Sequence, residues 1–224
     1  MLQTDQQNYI QNSLPFWDKL TSSEKNVVMS NAAFSFYKRG ESIYSADYKC
    51  LGLLLVKSGS LRVYILSEDG REITLYRIHE GELCILSASC VLESITFDVH
   101  IDAVTDCELL QISSSAIALL MHDNIYVEAF AYRTATERFS DVMWAMQQIL
   151  FMSFDRRLAI FLLDESASLK SDEIPMTHEQ IAKLMGSARE VVTRMLKYFS
   201  SEGYVELSRG MVNLIDKAAL RRLC

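Results

Sequence analysis

Thirty consecutive residues, from Asn124 to Ser153 (NIYVEAFAYRTATERFSDVMWAMQQILFMS), contain neither Gly nor Pro and keep a helical period throughout. Globular helices average about 11–12 residues, so a helix of this length dictates how the rest of the chain is arranged around it. Val127, Ala131, Thr134, Arg138, Val142, Ala145, Ile149 and Met152 recur at intervals of three and four and draw one stripe along it. The small alanines and the polar Thr134 and Arg138 favour a specified dimer seam, with helices of two protomers packed side by side. The alternative is that this stripe packs on the chain's own preceding domain.

The segment before the helix has a different rhythm. From Phe34 to Ile112, short apolar runs are broken about every ten residues by turn signals at Arg39-Gly40, Ser58-Gly59, Asp69-Gly70 and Glu80-Gly81. LGLLLVKSGSLRVYIL and REITLYRI flank Glu68-Asp69-Gly70, and Asp-Gly suits a hairpin whose central positions need positive φ. An antiparallel roll, barrel or jelly roll is predicted. Ahead of it, Phe16 to Ala33 is predicted as one helix, with a capping box in Thr21-Ser-Ser-Glu24.

The segment after the helix reads as helices, then two short strands. Ser153 is placed to cap FDRRLAIFLLDES, and Thr177 to cap HEQIAKLM. Gly186 makes a turn, SAREVVTRMLKYFSSEG forms a second helix, and YVELSRGMVNLI is a hairpin turning at Arg209-Gly210. This is the pattern of a winged helix-turn-helix. The predicted division is 1–123 for the β-domain, 124–152 for the long helix and 153–224 for the helix-turn-helix, an α+β chain overall.

Charge supports that division. The 224 residues carry a net −7, which excludes bulk attraction to nucleic acid. Residues 1–152 hold 11 Lys and Arg against 19 Asp and Glu, a balance of −8, while 153–224 hold 11 against 10, a balance of +1. The last third therefore tolerates an anionic partner best. Five scattered cysteines (Cys50, Cys84, Cys90, Cys107, Cys224) form neither a disulfide framework nor a zinc knuckle. The N-terminal stretch has no signal-peptide pattern and no 18-residue apolar run occurs, so a reducing cytoplasm and no membrane partner are expected.

In the second helix of the pair, Ser187 is a candidate N-cap with Glu190 three residues on, and Val191, Val192, Met195, Leu196 and Phe199 form the buried side. The opposite face carries Arg189, Glu190, Arg194 and Lys197. Arginine can bond guanine O6 and N7 bidentately, and a carboxylate can accept from cytosine N4 but repels phosphate, so a glutamate at such a place points to sequence reading. The competing reading is a solvated charge face in which Glu190 pairs with Arg194.

At these residues the chain resembles the cyclic-AMP receptor protein/FNR (Crp/Fnr) family of bacterial transcription regulators, from about Phe16 to Leu223. The resemblance is carried by THEQIAKLMGSAREVVTRMLKYFSSEGYVEL, by the glycine rhythm of the β-domain, by Gly81-Glu82-Leu83, and by the long helix ahead of Arg157-Leu-Ala159. It implies a cyclic-nucleotide-binding-like β-roll (jelly roll), a dimerisation helix and a winged helix-turn-helix, with RNA polymerase as a further partner. It also implies that Arg189 and Arg194 bond guanines, Glu190 a cytosine and Thr177 a phosphate, with Ser187 and Lys197 alongside, on a palindromic TGTGA-like site in double-stranded DNA. Ala188 departs from the family's usual Ser or Thr and removes one phosphate contact.

The effector is not cyclic AMP on this reading. The family's cyclic-AMP binders place Arg-Ser or Arg-Thr about ten residues after Gly-Glu, whereas here no Lys or Arg occurs between Ile78 and Tyr132. An unpaired buried phosphate would cost several kcal/mol. The positions that touch adenine align with Val142 and Met143. A pocket formed by Gly81, Glu82, Leu83, Cys84, Cys90, Val142 and Met143 is thus expected to be uncharged and apolar, or unused, and the effector is an unidentified small molecule or redox signal. Cys84, Cys90 and Cys107 are read as buried core thiols, with redox sensing the sharper alternative. No cysteine precedes Cys50, which argues against an FNR-type iron–sulfur cluster, and the dispersed His79, His100, His122 and His178 argue against haem or a metal site. No catalytic residues, metal or cofactor are expected. The competing functions are a cupin-like metal-dependent enzyme and a ligand-binding module that does not bind DNA.

Overall fold

The computed structural model describes residues 2–44, 51–68, 70, 72–84 and 99–224. Cys50, Asp69 and Cys90 lie outside these residues. The chain divides into two compact units, residues 1–65 with 75–143 and residues 66–74 with 144–224.

The first unit begins with α1 (Thr4–Ser13), a 3-10 turn at Trp17–Lys19 and α2 (Ser22–Ser30). The single helix expected over Phe16 to Ala33 is therefore broken. Thr21 is the reason: it caps α2 by accepting from Glu24 N at 3.3 Å while the Glu24 carboxylate takes Thr21 N–H at 2.6 Å, and a helix that starts there cannot include Phe16. The strands that follow are β1 (Ala32–Tyr37), β2 (Ser42–Tyr44), β3 (Leu53–Ser58), β4 (Ser60–Leu66), β5 (Glu72–His79), β6 (Leu83–Cys84), β7 (His100–Ala103) and β8 (Cys107–Ile112). They form two four-stranded sheets, in the orders β1-β8-β3-β6 and β2-β7-β4-β5, which is the predicted roll.

β3 reads Leu-Leu-Leu-Val because it is covered on both faces. Leu54 and Val56 point into the roll with Leu61, Val63, Ile78, Cys84, Ile101 and Leu109. Leu53 and Leu55 point the other way, onto a helical layer with Ile10, Phe16, Val28, Ile117, Leu120, Val127 and Ala131. The turn before β3 requires Gly52: its φ is +89°, and a Cβ there would sit 2.6 Å from Ser114 N and against the Ile112 carbonyl oxygen. On the outer face of β4, Arg62 is buried opposite Asp102 of β7, with its guanidinium 4.2 Å from the Tyr64 ring centre and the Tyr64 hydroxyl 3.3 Å from the Asp102 carboxylate.

After α3 (Ser114–Asp123) comes α4 (Ile125–Phe151), the long helix of 27 residues. Its expected seam is corrected by the packing. Val127, Ala131 and Thr134 are buried within the first unit itself, where Val127 and Ala131 complete the helical layer, and Val142 packs against the roll interior. Arg138 is half-buried, bonded to Asp141 at 2.8 Å. Ala145 and Met152 are partly covered and Ile149 is exposed. The part of the stripe from Val127 to Val142 thus faces the first unit. A second apolar line, Ile125, Tyr132, Phe139, Met143, Met146 and Leu150, runs along the opposite side and is exposed throughout.

The second unit has α5 (Phe154–Leu169), β9 (Glu173–Ile174), α6 (His178–Met185), α7 (Arg189–Ser201), β10 (Val205–Ser208), β11 (Met211–Leu214) and α8 (Lys217–Leu223). Ser153 occupies the N-cap of α5 as expected, but its side chain makes no cap bond. Leu158, Leu162, Ile181, Val192, Leu196, Phe199, Val212 and Leu220 form one core. β10 and β11 pair antiparallel around Arg209-Gly210, and β9 adds a third strand.

Candidate DNA-reading face and effector site

The helix pair is fixed locally at both ends of its turn. Thr177 caps α6 in a reciprocal box with Gln180. At the other end Gly186 adopts φ +60°, letting Ser187 N reach the Ala182 carbonyl at 3.0 Å and redirecting the chain within three residues. Ala188, not Ser187, is the N-cap of α7, and it has no side chain with which to cap. Ser187 is spent on the turn instead. Nearby, the tip of the β4–β5 hairpin belongs to this unit: Glu72 lies 3.6 Å from Lys183, and a cleft of about 620 Å³ is lined by Gly70, Glu72, Ser187 and Ala188 among others.

α7 is sharply two-sided. Val192, Leu196 and Phe199 are buried, while Arg189, Glu190, Arg194 and Lys197 are all exposed, together with Tyr198. Glu190 and Arg194 form no ion pair with each other among the described residues, so the face is not a closed salt-bridge ladder. Arg189 has only a long contact with Glu179, 3.8 Å with both side chains largely exposed, which leaves its fork available. His178 bonds Thr193 across the helix pair at 3.0 Å. Burial first, then the charges of Arg189 and Lys197, hold its imidazole below the ordinary histidine range. The face thus joins three cations and one carboxylate at the solvent-facing side of a helix whose other side is anchored, an arrangement suited to phosphate attraction with base-edge selection.

The expected effector residues are brought together only in part. Gly81, at φ +82°, lets its N–H reach the Val56 carbonyl at 2.8 Å, and the Glu82 carboxylate accepts the His79 backbone N–H at 2.8 Å. Cys84 and Val142 both face the roll interior. Leu83 faces the helical layer and Met143 is exposed, because neighbouring strand residues alternate and Met143 lies on the outer side of α4. The expected lack of charge is also corrected: one turn before Val142, α4 supplies Arg138, whose guanidinium stands 5.2 Å from the Tyr76 ring centre. A scan of the loop after Gly81-Glu82 for cations misses it, and the signal was only that Arg138 and Val142 share a helix face. Cys84 and Cys107 are buried and in no disulfide among the described residues, and burial pushes the Cys107 thiol up, away from the reactive thiolate. No three residues that could hold a metal cluster together among the described residues, and no helix among them is long and apolar enough to cross a membrane.

Residues 34–124 match the cyclic nucleotide-binding domain model, and residues 156–223 match the Crp-like helix-turn-helix model. A solved structure from Eubacterium rectale, described as a transcriptional regulator of the crp/fnr family, superposes with a TM-score of 0.91 at 44% identity, covering 95% of this chain and 98% of that one. The cyclic AMP receptor protein of Thermus thermophilus is 26% identical over 210 residues, 93% of this chain and 96% of that protein. The transcriptional activator FnrA of Stutzerimonas stutzeri is 24% identical over 191 residues, 82% of this chain and 77% of that protein. The family consists of transcription regulators rather than enzymes, and its cyclic nucleotide-binding domain points to a small-molecule effector. The roll, the long helix, the two-sided recognition helix and both domain matches agree that this chain is a DNA-binding transcription regulator of the Crp/Fnr family.

Proposed function

We propose that the protein acts as a homodimer on a palindromic TGTGA-like site, under control of an effector other than cyclic AMP held in the β-roll. The single observation that carries the DNA reading is the exposed quartet Arg189, Glu190, Arg194 and Lys197 on a helix anchored by Val192, Leu196 and Phe199. Arg189 and Arg194 bond guanines, Glu190 accepts from a cytosine, and Lys197 meets phosphate. Thr177 offers its hydroxyl to phosphate from the adjacent cap.

Pairing runs through Ile125, Tyr132, Phe139, Met143, Met146 and Leu150, at spacings of seven, seven, four, three and four, the a and d rhythm of a two-helix seam. This apolar line is too continuous for a helix meant to face water. Effector binding in the roll alters the packing of α4 and with it the separation of two recognition helices set one helical turn of DNA apart. RNA polymerase is the partner expected of such a regulator.

Selection of bound sequences from a random duplex pool at fixed salt, beside an Arg189→Ala variant, tests this. Recovery of a palindrome whose preference relaxes at one base position in the variant supports it. Recovery of a site with no two-fold symmetry, or of identical sites by both proteins, overturns it.

A further inference from the structure

His178, the first residue of α6, stands where the helix pair meets the reading face. Its Nδ1 lies 3.0 Å from the Thr193 hydroxyl, and Thr193 is one helical turn from both Glu190 and Lys197 on α7. The other ring nitrogen, Nε2, has no hydrogen-bond partner among the described residues, and the ring is only half-buried. Two cations bear on it from α7, Arg189 and Lys197. Among the described residues no carboxylate bonds it: Glu179 of its own helix lies 3.8 Å from Arg189, and Glu190 is exposed on the reading face. The β10–β11 hairpin reaches this end of α6 with Gly210 beside Thr177, and its neighbouring Arg209 is exposed. An imidazole in cationic company, with one nitrogen unbonded, is a group from which a proton is withheld until an anion arrives.

We infer that His178 is a proton-linked phosphate contact: it takes up a proton as DNA binds and donates from Nε2 to the backbone, so that DNA affinity rises as the pH falls. This rests on the reading of α7 as the DNA-binding helix and adds a residue and a proton to it. A hydroxyl can donate to a neutral ring nitrogen or accept from a protonated one, so the bond to Thr193 survives both states and does not choose between them. The surrounding charges choose. In the free protein, burial and then Arg189 and Lys197 disfavour the imidazolium. A duplex brings one negative charge for about every 1.7 Å of its axis, which offsets both cations and favours the charged ring. The Nε2–H then makes a charge-assisted bond to a phosphate oxygen, beside the phosphate contact proposed for Thr177. The proton comes from the solvent and returns to it when the DNA leaves.

The test titrates the full-length protein with a duplex carrying two inverted TGTGA half-sites and with a duplex of unrelated sequence, from pH 6 to pH 8 at fixed ionic strength. Fluorescence anisotropy gives the affinity, and calorimetry in two buffers of different ionisation enthalpy gives the protons taken up. Expected are roughly tenfold tighter binding per protomer at pH 6 than at pH 8 and uptake of about one proton per protomer. Both duplexes show it, because phosphate is the partner. His178→Gln loses most of the pH dependence, and His178→Lys binds with an affinity nearly independent of pH. The exposed control His122→Gln leaves the uptake unchanged. Lys197→Ala removes one cation that keeps the free ring neutral and lowers the uptake, which a purely structural role for His178 would not predict. Equal uptake by the wild type and His178→Gln, or wild-type affinity that does not rise as the pH falls, overturns the inference. If the DNA is bound with equal uptake by both proteins, this inference alone is removed; if neither duplex is bound at any pH, the DNA reading is removed and this inference with it.

Discussion

Thr177 and Gln180 hold each other across the first turn of α6: the Thr177 oxygen accepts the Gln180 backbone N–H at 3.2 Å, and the Gln180 side-chain oxygen accepts the Thr177 N–H at 2.9 Å. The same hydroxyl also lies 3.2 Å from the Gln180 oxygen. A residue proposed to touch phosphate thus already orients the helix that precedes the reading helix. Thr177→Ala is expected to lower stability by about 1 kcal/mol, seen as a drop in the denaturant midpoint without a change in slope, and to weaken DNA binding on all sequences alike.

Arg194 and Lys197 separate base reading from phosphate attraction. Arg194→Ala should cost about 1–3 kcal/mol on the selected site and relax one base position. Lys197→Ala should leave the sequence preference intact and shrink the slope of log affinity against log salt by about one. Equilibrium binding at several salt concentrations distinguishes the two, and matching effects of both changes would count against the assignment.

The two faces of α4 respond differently to charge. Ala131→Asp puts a carboxylate into the helical layer beside Val127 and is expected to unfold the first unit, since a buried unpaired charge costs several kcal/mol. Phe139→Asp changes an exposed residue and should leave the fold while shifting the protein to monomer in analytical ultracentrifugation. A Phe139→Asp protein that remains dimeric would place the seam elsewhere.

Gly52 has no alternative. A Cβ there meets the Ser114 N at 2.6 Å, on backbone that holds β8 to α3 and cannot yield, and φ is +89°. Gly52→Ala should therefore cost about 3 kcal/mol or more, among the large single-residue effects. Gly186→Ala meets its nearest atom, the Glu72 carbonyl oxygen, at 3.2 Å and φ +60°, so a loss of about 1 kcal/mol is expected. Thermal midpoints of the two variants check the order.

His178 makes the second unit sensitive to mild acid. Its imidazole is held below the ordinary 6.5 by burial and by the positive charges of Arg189 and Lys197, so the folded unit binds fewer protons there than the unfolded chain. Stability is then complete above pH 6.5 and declines as the pH falls below it. His122, raised by its bond to Asp123, acts in the opposite sense from an exposed position. His178→Gln should flatten the decline of the thermal midpoint between pH 7 and 5, and an unchanged decline would contradict the assignment.

Most of the architecture was legible because its signals are local. Glycine-spaced apolar runs mark the strands, capping residues at Thr21 and Thr177 mark helix starts, and the charged side of Arg189 to Lys197 follows from a helical period. The one break in the predicted helix at Phe16 to Ala33 came from the same cap, whose position as a helix start outweighed the apolar period running through it.

What stayed hidden depends on which surfaces meet. The sequence by itself determined that α4 is a long helix carrying one recurring stripe, and that the chain ends in a two-sided recognition helix. Only the tertiary structure decided that Val127, Ala131 and Thr134 go inward and the line from Ile125 to Leu150 goes outward, because periodicity fixes which residues share a face and is silent on which face finds the larger apolar layer. The same holds for Arg138 and Tyr76. They are 62 residues apart, and their meeting depends on how β5 and α4 pack, which no local spacing encodes.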